Sequence, residues 1–353
     1  MSKRLKLGVI GCGVIGKTHC AAAAACDDIE LAAVADLIPE RARAMAQQHG
    51  VARVYGAGDE LLADKDIEAV VLASPACPRT EIGLKAFAAG KHVLMEKPVA
   101  GNAGDVRRLI AAARAAKLVG ACCSSRYRFL TSSGVTEDFL ASGALGALRI
   151  VRARGINPAG AAPTQVPPDW RLKRDQNGGG ILMNWGCYDL DFVLGLTGWK
   201  LRPRLVLAQC WTLAPHLAAR ATPGSDAETH GLAIVQCDEG IALSFERAEF
   251  TSSAADHAHQ FVGEKGTLRT VMHTTRKSVF HDHTDSQFGV LTRTLWEGDD
   301  PTDPIFSGPL RDFASAILHG HAPKTTLEQA LIVQQIADAI YASADGQCAV
   351  PIV

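Results

Sequence analysis

The sequence predicts an α/β chain whose N-terminal part is a doubly wound parallel sheet, and three observations predict it. An apolar run, Leu5–Ile10, enters a glycine turn that reads Gly11-Cys12-Gly13-Val14-Ile15-Gly16. Apolar strand-like runs and helix-like stretches then alternate as far as Cys122, the pattern of repeated strand–helix–strand units. A later apolar run, His92-Val93-Leu94-Met95, ends in Glu96-Lys97-Pro98. Carboxyl ends of strands in such sheets border the ligand crevice.

Leu5–Ile10 is a run of apolar residues broken only by Lys6, as a strand largely buried on both faces should be. Gly11 permits a tight turn, Gly13 lets backbone approach a pyrophosphate, and Gly16 lets the next helix pack on the strand. Cys12, Val14 and Ile15 complete the turn. The helix that follows, through Ala21–Ala25, turns its N-terminal amides toward phosphate. A second strand, Glu30–Ala35, ends in Asp36, 20 residues after Gly16. That is the spacing of the carboxylate that holds ribose hydroxyls. Leu37 and Ile38 follow it, with no arginine to meet a 2′-phosphate, so NAD is favoured over NADP. Ala69–Ala73 is a strand ending at Ser74-Pro75. Arg79–Ala89 is a helix stopped by Gly90. Asn102 caps a helix that runs to Ala116, and Leu118–Cys122 is the last strand. Lys97 stands at the end of the His92–Met95 strand, where the nicotinamide end of the cofactor would lie, so it is an active-site candidate. Pro98 restricts the chain beside it and admits a cis peptide bond.

At 353 residues the chain is long enough for two domains. It is 47% hydrophobic and 21% charged with a net charge of −1, which favours neither nucleic acid nor a membrane surface as partner. No apolar run approaches the ~20 residues of a membrane helix. The start, Ser2–Ile10, has the look of a signal peptide, but cleavage there would destroy the glycine turn, and a cytoplasmic protein is expected. The ten cysteines contain no Cys-x-x-Cys and read as free thiols of a reducing compartment. His257/His259 and His281/His283 lack a third ligand at metal-site spacing. They are expected in surface loops, and no metal is expected.

The chain resembles the glucose–fructose oxidoreductase / inositol dehydrogenase / rhizopine catabolism (Gfo/Idh/MocA) family. The likeness rests on Gly11–Gly16, on Ala89-Gly90-Lys91-His92-Val93-Leu94-Met95-Glu96-Lys97-Pro98, and on Arg128-Phe129. It continues through Trp170-Arg171, Gly178-Gly179-Gly180-Ile181-Leu182-Met183-Asn184-Trp185-Gly186-Cys187-Tyr188 and Ala339–Ala344. The resemblance implies a Rossmann domain over 1–123 and a C-terminal α/β domain over 124–353 with an open, mostly antiparallel sheet. The second domain would bind substrate and form a homodimer or homotetramer through that sheet, and the last helix could pack back on the first domain. The likeness also implies an NAD-dependent oxidoreductase acting on a sugar, inositol, sugar acid or glycoside. Ser74, Pro75, Glu96, Lys97 and Arg171 would meet the cofactor, and Arg128 and Trp170 the substrate.

Beyond Phe129 the alternation stops. Leu148–Arg154, Leu205–Trp211, Ala233–Cys237, Ile241–Phe245 and Thr267–Met272 read as strands, and Leu310–Leu318 and Leu327–Ala344 as helices. Pro158–Pro168 is a Pro/Ala-rich loop. Gly178–Gly180 opens a helix, Ile181–Leu196, on which Asn184, Tyr188 and Asp191 share a face. In the family this face meets the nicotinamide and usually carries aspartate, then histidine. Asn184 and Tyr188 replace them here, and Arg79 stands where histidine is frequent. Tyrosine has a reference pKa near 10. It can move a proton if a nearby cation lowers that value, and Lys97 would be that cation if the two domains close as they do in the family. Lys97 and Tyr188 are therefore the catalytic candidates, with Asn184 and Asp191 as substrate ligands. All five tryptophans lie in the second domain. An aromatic face suits the apolar side of a sugar ring, yet most of the five are expected in the core. Two alternatives stay open: a glycoside-cleaving enzyme that uses tightly bound NAD transiently, and a non-catalytic sugar and nucleotide sensor.

Overall fold

The first sheet has the strand order 3-2-1-4-5-6, one of the doubly wound orders that the alternation read in the sequence allows. In the computed structural model, residues 4–161, 168–272, 274 and 276–353 are described. Ser2-Lys3 and the middle of the Pro158–Pro168 loop lie outside the described residues. The chain divides into two units: residues up to Arg126 with Asp303–Leu331, and Tyr127–Thr302 with Ile332–Val353.

The first unit alternates β1 (Leu5–Ile10), α1 (Val14–Ala24), β2 (Ile29–Ala35), α2 (Pro39–His49), β3 (Arg53–Tyr55), α3 (Gly58–Ala63), β4 (Ala69–Leu72), α4 (Ala76–Ala88), β5 (His92–Met95), α5 (Ala103–Ala116) and β6 (Gly120–Cys122). All strand pairs are parallel, and the order reverses between β1 and β4. That reversal is where a doubly wound sheet opens its ligand crevice. Every residue of β4 is buried, as its unbroken apolar run requires. Asn102 caps α5 by accepting from the Asp105 amide at 2.9 Å, a contact of about 1 kcal/mol.

The second unit holds α6 (Thr131–Ala141), β7 (Leu148–Pro158), α7 (Arg174–Asn177), α8 (Cys187–Leu196), β8 (Pro203–Trp211), β9 (His230–Cys237), β10 (Ala242–Thr251), β11 (Asp256–Gly263), β12 (Gly266–Val271), β13 (Lys277–Asp285) and β14 (Gly289–Gly298). Two helices follow, α9 (Asp303–His319) and α10 (Leu327–Gly346), then a short β15 (Val350–Pro351). The nine-stranded sheet runs β14-β13-β12-β11-β7-β10-β9-β8-β15. Among the described residues of this sheet, only β7 and β10 pair in parallel. Burial alternates residue by residue along β9, so one face is core and the other is open.

Several expectations change. Asp303–Leu331 clusters with the first unit, because Leu310, Phe313 and Ala314 of α9 are buried with β1 and α1, and Leu327 and Ala330 with β4 and β5. The expected helix Ile181–Leu196 begins with a π turn over Leu182–Gly186, and α8 continues it. The paired histidines lie on β11 and β13 rather than in loops, and His259 is buried. None of the five tryptophans is buried, and Trp185 and Trp211 are exposed.

The glycine turn ahead of the π turn sets a sharp steric test. A Cβ on Gly180 would lie 1.8 Å from the Glu228 carbonyl oxygen, whereas one on Gly134 in α6 would meet nothing within 4 Å. Gly180→Ala is expected to cost more than about 2 kcal/mol, and Gly134→Ala to gain up to about 1 kcal/mol from helix propensity. Denaturant unfolding checks both. Equal midpoints for the two variants would contradict this packing.

Candidate active site

The glycine turn in the first unit is built to the tolerance its sequence implied. Gly11 has a φ of +99°, and a Cβ there would lie 2.9 Å from the Ala73 carbonyl oxygen. A Cβ on Gly16 would come within 1.8 Å of the Gly11 carbonyl oxygen. Gly13 precedes α1 with no side-chain cap, and the space where its Cβ would project is empty to 4 Å. The first amides of α1 are thus left for an anion. Asp36 accepts from the Cys12 amide at 2.7 Å and the Ile38 amide at 2.8 Å, so its carboxylate is fixed at the end of β2. Val14 (89% exposed) and Leu37 (83%) lie open beside it. The donor set fits a dinucleotide. The Cys12 thiol is not part of that set. It points inward to the Ala35 carbonyl, and burial, with the Asp36 charge, pushes its pKa up to about 11.

Lys97 follows β5, joined to Pro98 by a cis peptide. Beneath it Glu96 is buried, and one oxygen meets His19 Nε2 at 2.8 Å and Arg126 Nη2 at 3.3 Å. The other oxygen accepts from the Lys97 amide at 3.1 Å. Burial alone would raise the Glu96 pKa. The Arg126 charge, the His19 hydrogen bond and charge, and the Lys97 charge override it and hold the carboxyl well below the usual range. The buried Arg79 guanidinium donates to the carbonyls of Glu96, Pro98 and Ser74. It thus clamps the Ser74-Pro75 loop to the Lys97 loop, which gives this departure from the family pattern a physical role. His19, Glu96 and Cys123 bring potential metal-ligand atoms within 4.8 Å of one another. The carboxylate already carries Arg126 and His19, and burial holds the Cys123 thiol protonated, so the cluster is an internal ion-pair hub.

In the second unit the triple glycine is shaped by two partners. A Cβ on Gly179 would strike the Tyr341 hydroxyl at 1.9 Å. Glu228, 1% exposed, accepts from the Gly180 and Leu182 amides, each at 2.9 Å, and from the Tyr341 hydroxyl at 3.0 Å. Burial raises its pKa against those hydrogen bonds. Asn184 donates its amide to the carbonyls of Arg171 (2.9 Å) and Gly180 (3.0 Å). Tyr188 meets Tyr127 edge-on at 5.6 Å and Trp185 at 5.8 Å between ring centres.

Arg128 and Asp191, expected at the substrate, are both buried and pair with each other at 3.5 Å. Arg171, expected at the cofactor, is engaged by Glu249 at 2.5 Å. Trp170 is half-buried in a 3-10 turn. Sequence reading missed His19, Arg126 and Glu228, whose partners lie 77, 30 and 46–48 residues away and leave no local signal.

A family model described as "Oxidoreductase family, NAD-binding Rossmann fold" matches residues 5–122, and the GFO/IDH/MocA C-terminal domain model matches residues 136–269. The chain belongs to the Gfo/Idh/MocA oxidoreductase family. A 1,5-anhydro-D-fructose reductase of Ensifer adhaerens is 29% identical over 97% of each chain. A dTDP-3,4-didehydro-2,6-dideoxy-alpha-D-glucose 3-reductase of Streptomyces violaceoruber is 36% identical over 57% of each. Among solved structures, an oxidoreductase domain protein from Kribbella flavida superposes with a TM-score of 0.85 at 22% identity, covering 99% of this chain and 100% of that one. A levoglucosan dehydrogenase in complex with NADH and L-sorbose gives 0.85 at 21% identity, covering 99% of each. As in other Gfo/Idh/MocA proteins, the first unit of this chain is an NAD-binding Rossmann fold.

The lowered Glu96 pKa carries a pH signature. A carboxyl with a depressed native pKa adds stability that is complete above its unfolded value, about 4.3, and is lost as pH falls through the native value. Glu96→Gln should therefore be less stable than wild type by a constant margin from pH 6 to 8, and the margin should shrink below about pH 4. Urea unfolding across that range tests it. A margin unchanged down to pH 3 would contradict the hub.

Proposed function

We propose that the chain is an NAD-dependent dehydrogenase or reductase acting on a secondary alcohol, or its ketone, in a sugar, inositol, sugar acid or glycoside. The observation that carries this reading is Lys97, braced at the carboxyl end of β5 by Glu96 and Arg79 inside an NAD-binding fold. The 1,5-anhydro-D-fructose reductase relative, and a myo-inositol 2-dehydrogenase of Thermotoga maritima that is 29% identical over 55% of each chain, support the substrate class.

Bound NAD supplies the two-electron donor or acceptor at its nicotinamide ring. Gly11, Gly13, Gly16 and the α1 amides would hold its pyrophosphate and Asp36 its ribose, which favours NAD over NADP. The Lys97 ammonium polarises the substrate oxygen. As the phenolate, Tyr188 would accept the alcohol proton during oxidation, and as the phenol it would return that proton during reduction. Glu228 and Asn184 hold the turn and helix on which Tyr188 stands. Lys97→Ala should lower kcat by roughly 10²-fold or more, the scale of a positioned electrostatic or proton-transfer group, with little change in NAD affinity. Tyr188→Phe should fold, bind NAD and lose most turnover. Stopped-flow NADH absorbance with a panel of cyclitols, aldoses and uronic acids decides. Near-normal turnover in either variant would remove that residue from the mechanism.

The second unit also supports self-association. Leu207, Leu232 and Ile234 are 57%, 38% and 50% exposed on the open face of the nine-stranded sheet, where Leu207 pairs directly with Ile234. Such a patch marks an interaction surface, and a homodimer or homotetramer through this face is proposed. Leu207→Lys/Ile234→Lys should shift the mass in light scattering toward monomer. Wild-type protein that is monomeric at micromolar concentration would refute it. All ten thiols are free and no described helix is long and apolar enough to cross a membrane. The free thiols support a reducing, cytoplasmic setting.

A further inference from the structure

Every residue from Ile181 to Thr197 is buried except Trp185, which is 37% exposed. An indole is the largest apolar side chain, and leaving it open in an otherwise buried segment forgoes burial that the flanking residues all achieve. The cause is local. Trp185 sits inside the π turn Leu182–Gly186, and such single-turn widenings recur at functional sites.

The ring is held from one side. The Arg247 guanidinium lies 5.3 Å from the Trp185 ring centre, a cation–π distance. Arg247 is itself buried and paired with Asp189 at 3.1 Å. It has room because residue 155 on the neighbouring strand is glycine, where a Cβ would lie 2.1 Å from Arg247 Nη1. Tyr188 meets the same indole edge-on at 5.8 Å. A rigid, half-open aromatic plate therefore adjoins the residue assigned to proton transfer.

We propose that Trp185 is a substrate subsite that takes the C–H face of a polyhydroxylated six-membered ring, a cyclitol or pyranose, and so selects cyclic over open-chain alcohols. This rests on the function proposed above and narrows its substrate. A six-membered ring offers a rigid apolar face while its hydroxyls point outward, which matches a flat indole beside a phenol. An open-chain polyol has no such face and must also give up several rotors on binding.

The test separates binding from turnover. Saturation-transfer NMR on the NAD-saturated protein uses myo-inositol, methyl α-D-glucopyranoside and D-glucitol as probes. The wild type is expected to bind at least one ring compound better than D-glucitol. Trp185→Leu should weaken that ring at least tenfold and leave D-glucitol and NAD unchanged, while Trp185→Phe, which keeps a smaller aromatic face, recovers most of the loss. In steady state with a ring substrate, Trp185→Leu should raise KM at least tenfold and lower kcat less than threefold. Ring affinity unchanged in Trp185→Leu, equal weakening of ring and open-chain probes, or no ring binding by the wild type would overturn the subsite. Ring binding that needs Trp185, without any NAD reduction by the wild type, would uphold the subsite and refute the proposed reaction instead.

Discussion

The first unit depends on a buried carboxylate. Glu96 is 3% exposed, and an ionised carboxyl in that setting is tolerable only with charged or hydrogen-bonding partners. It has three: His19 from α1, Arg126 from the segment after β6, and the amide of Lys97. One side chain thus ties together the phosphate-facing helix and the ends of two strands at the sheet's carboxyl edge. Removing one partner of such a pair typically costs 3–5 kcal/mol, because a buried charge is left behind. Arg79 extends the same logic to backbone, bridging three carbonyls of two neighbouring loops. The backbone of Lys97 is held in place by this polar scaffold.

The second unit uses a carboxylate for a similar end with different partners. Glu228 meets backbone amides and the Tyr341 hydroxyl, all neutral donors. Burial therefore prevails and its pKa rises, whereas cations override burial at Glu96 and its pKa falls. Both act close to proposed catalytic groups. Glu96 fixes the loop of Lys97, and Glu228 fixes the glycine turn that starts the helix of Tyr188. The triple glycine follows from that arrangement, since side chains at 179 and 180 would occupy the space of Tyr341 and Glu228.

What was legible in the sequence was what local pattern determines. Mostly apolar runs marked β1, β4 and β5 because both faces of those strands are largely covered. The glycine spacing marked the cofactor turn because each glycine answers a separate steric demand. The strands β11, β13 and β14 were not legible. They are only partly buried and carry histidines and charges among their apolar residues, so neither a continuous nor a cleanly alternating run appears. The π turn was hidden because one extra residue in a helical turn does not disturb an apolar stretch. Arg128 with Asp191, and Arg171 with Glu249, looked like ligand-binding groups because charge in a cleft motif suggests a ligand. Their partners lie 63 and 78 residues away, and only the folded chain shows each pair.

In the proposed reaction a hydrogen passes directly between the nicotinamide and a carbinol carbon of the substrate. The measurement is incubation of the protein with NADH deuterated at C4 and a cyclic ketone such as 1,5-anhydro-D-fructose, followed by NMR of the product alcohol. Deuterium at the new carbinol carbon, with none there when unlabelled NADH is used in D₂O, is the predicted result. Consumption of the ketone with solvent deuterium at that carbon, or no reaction with any cyclic ketone, would contradict the account.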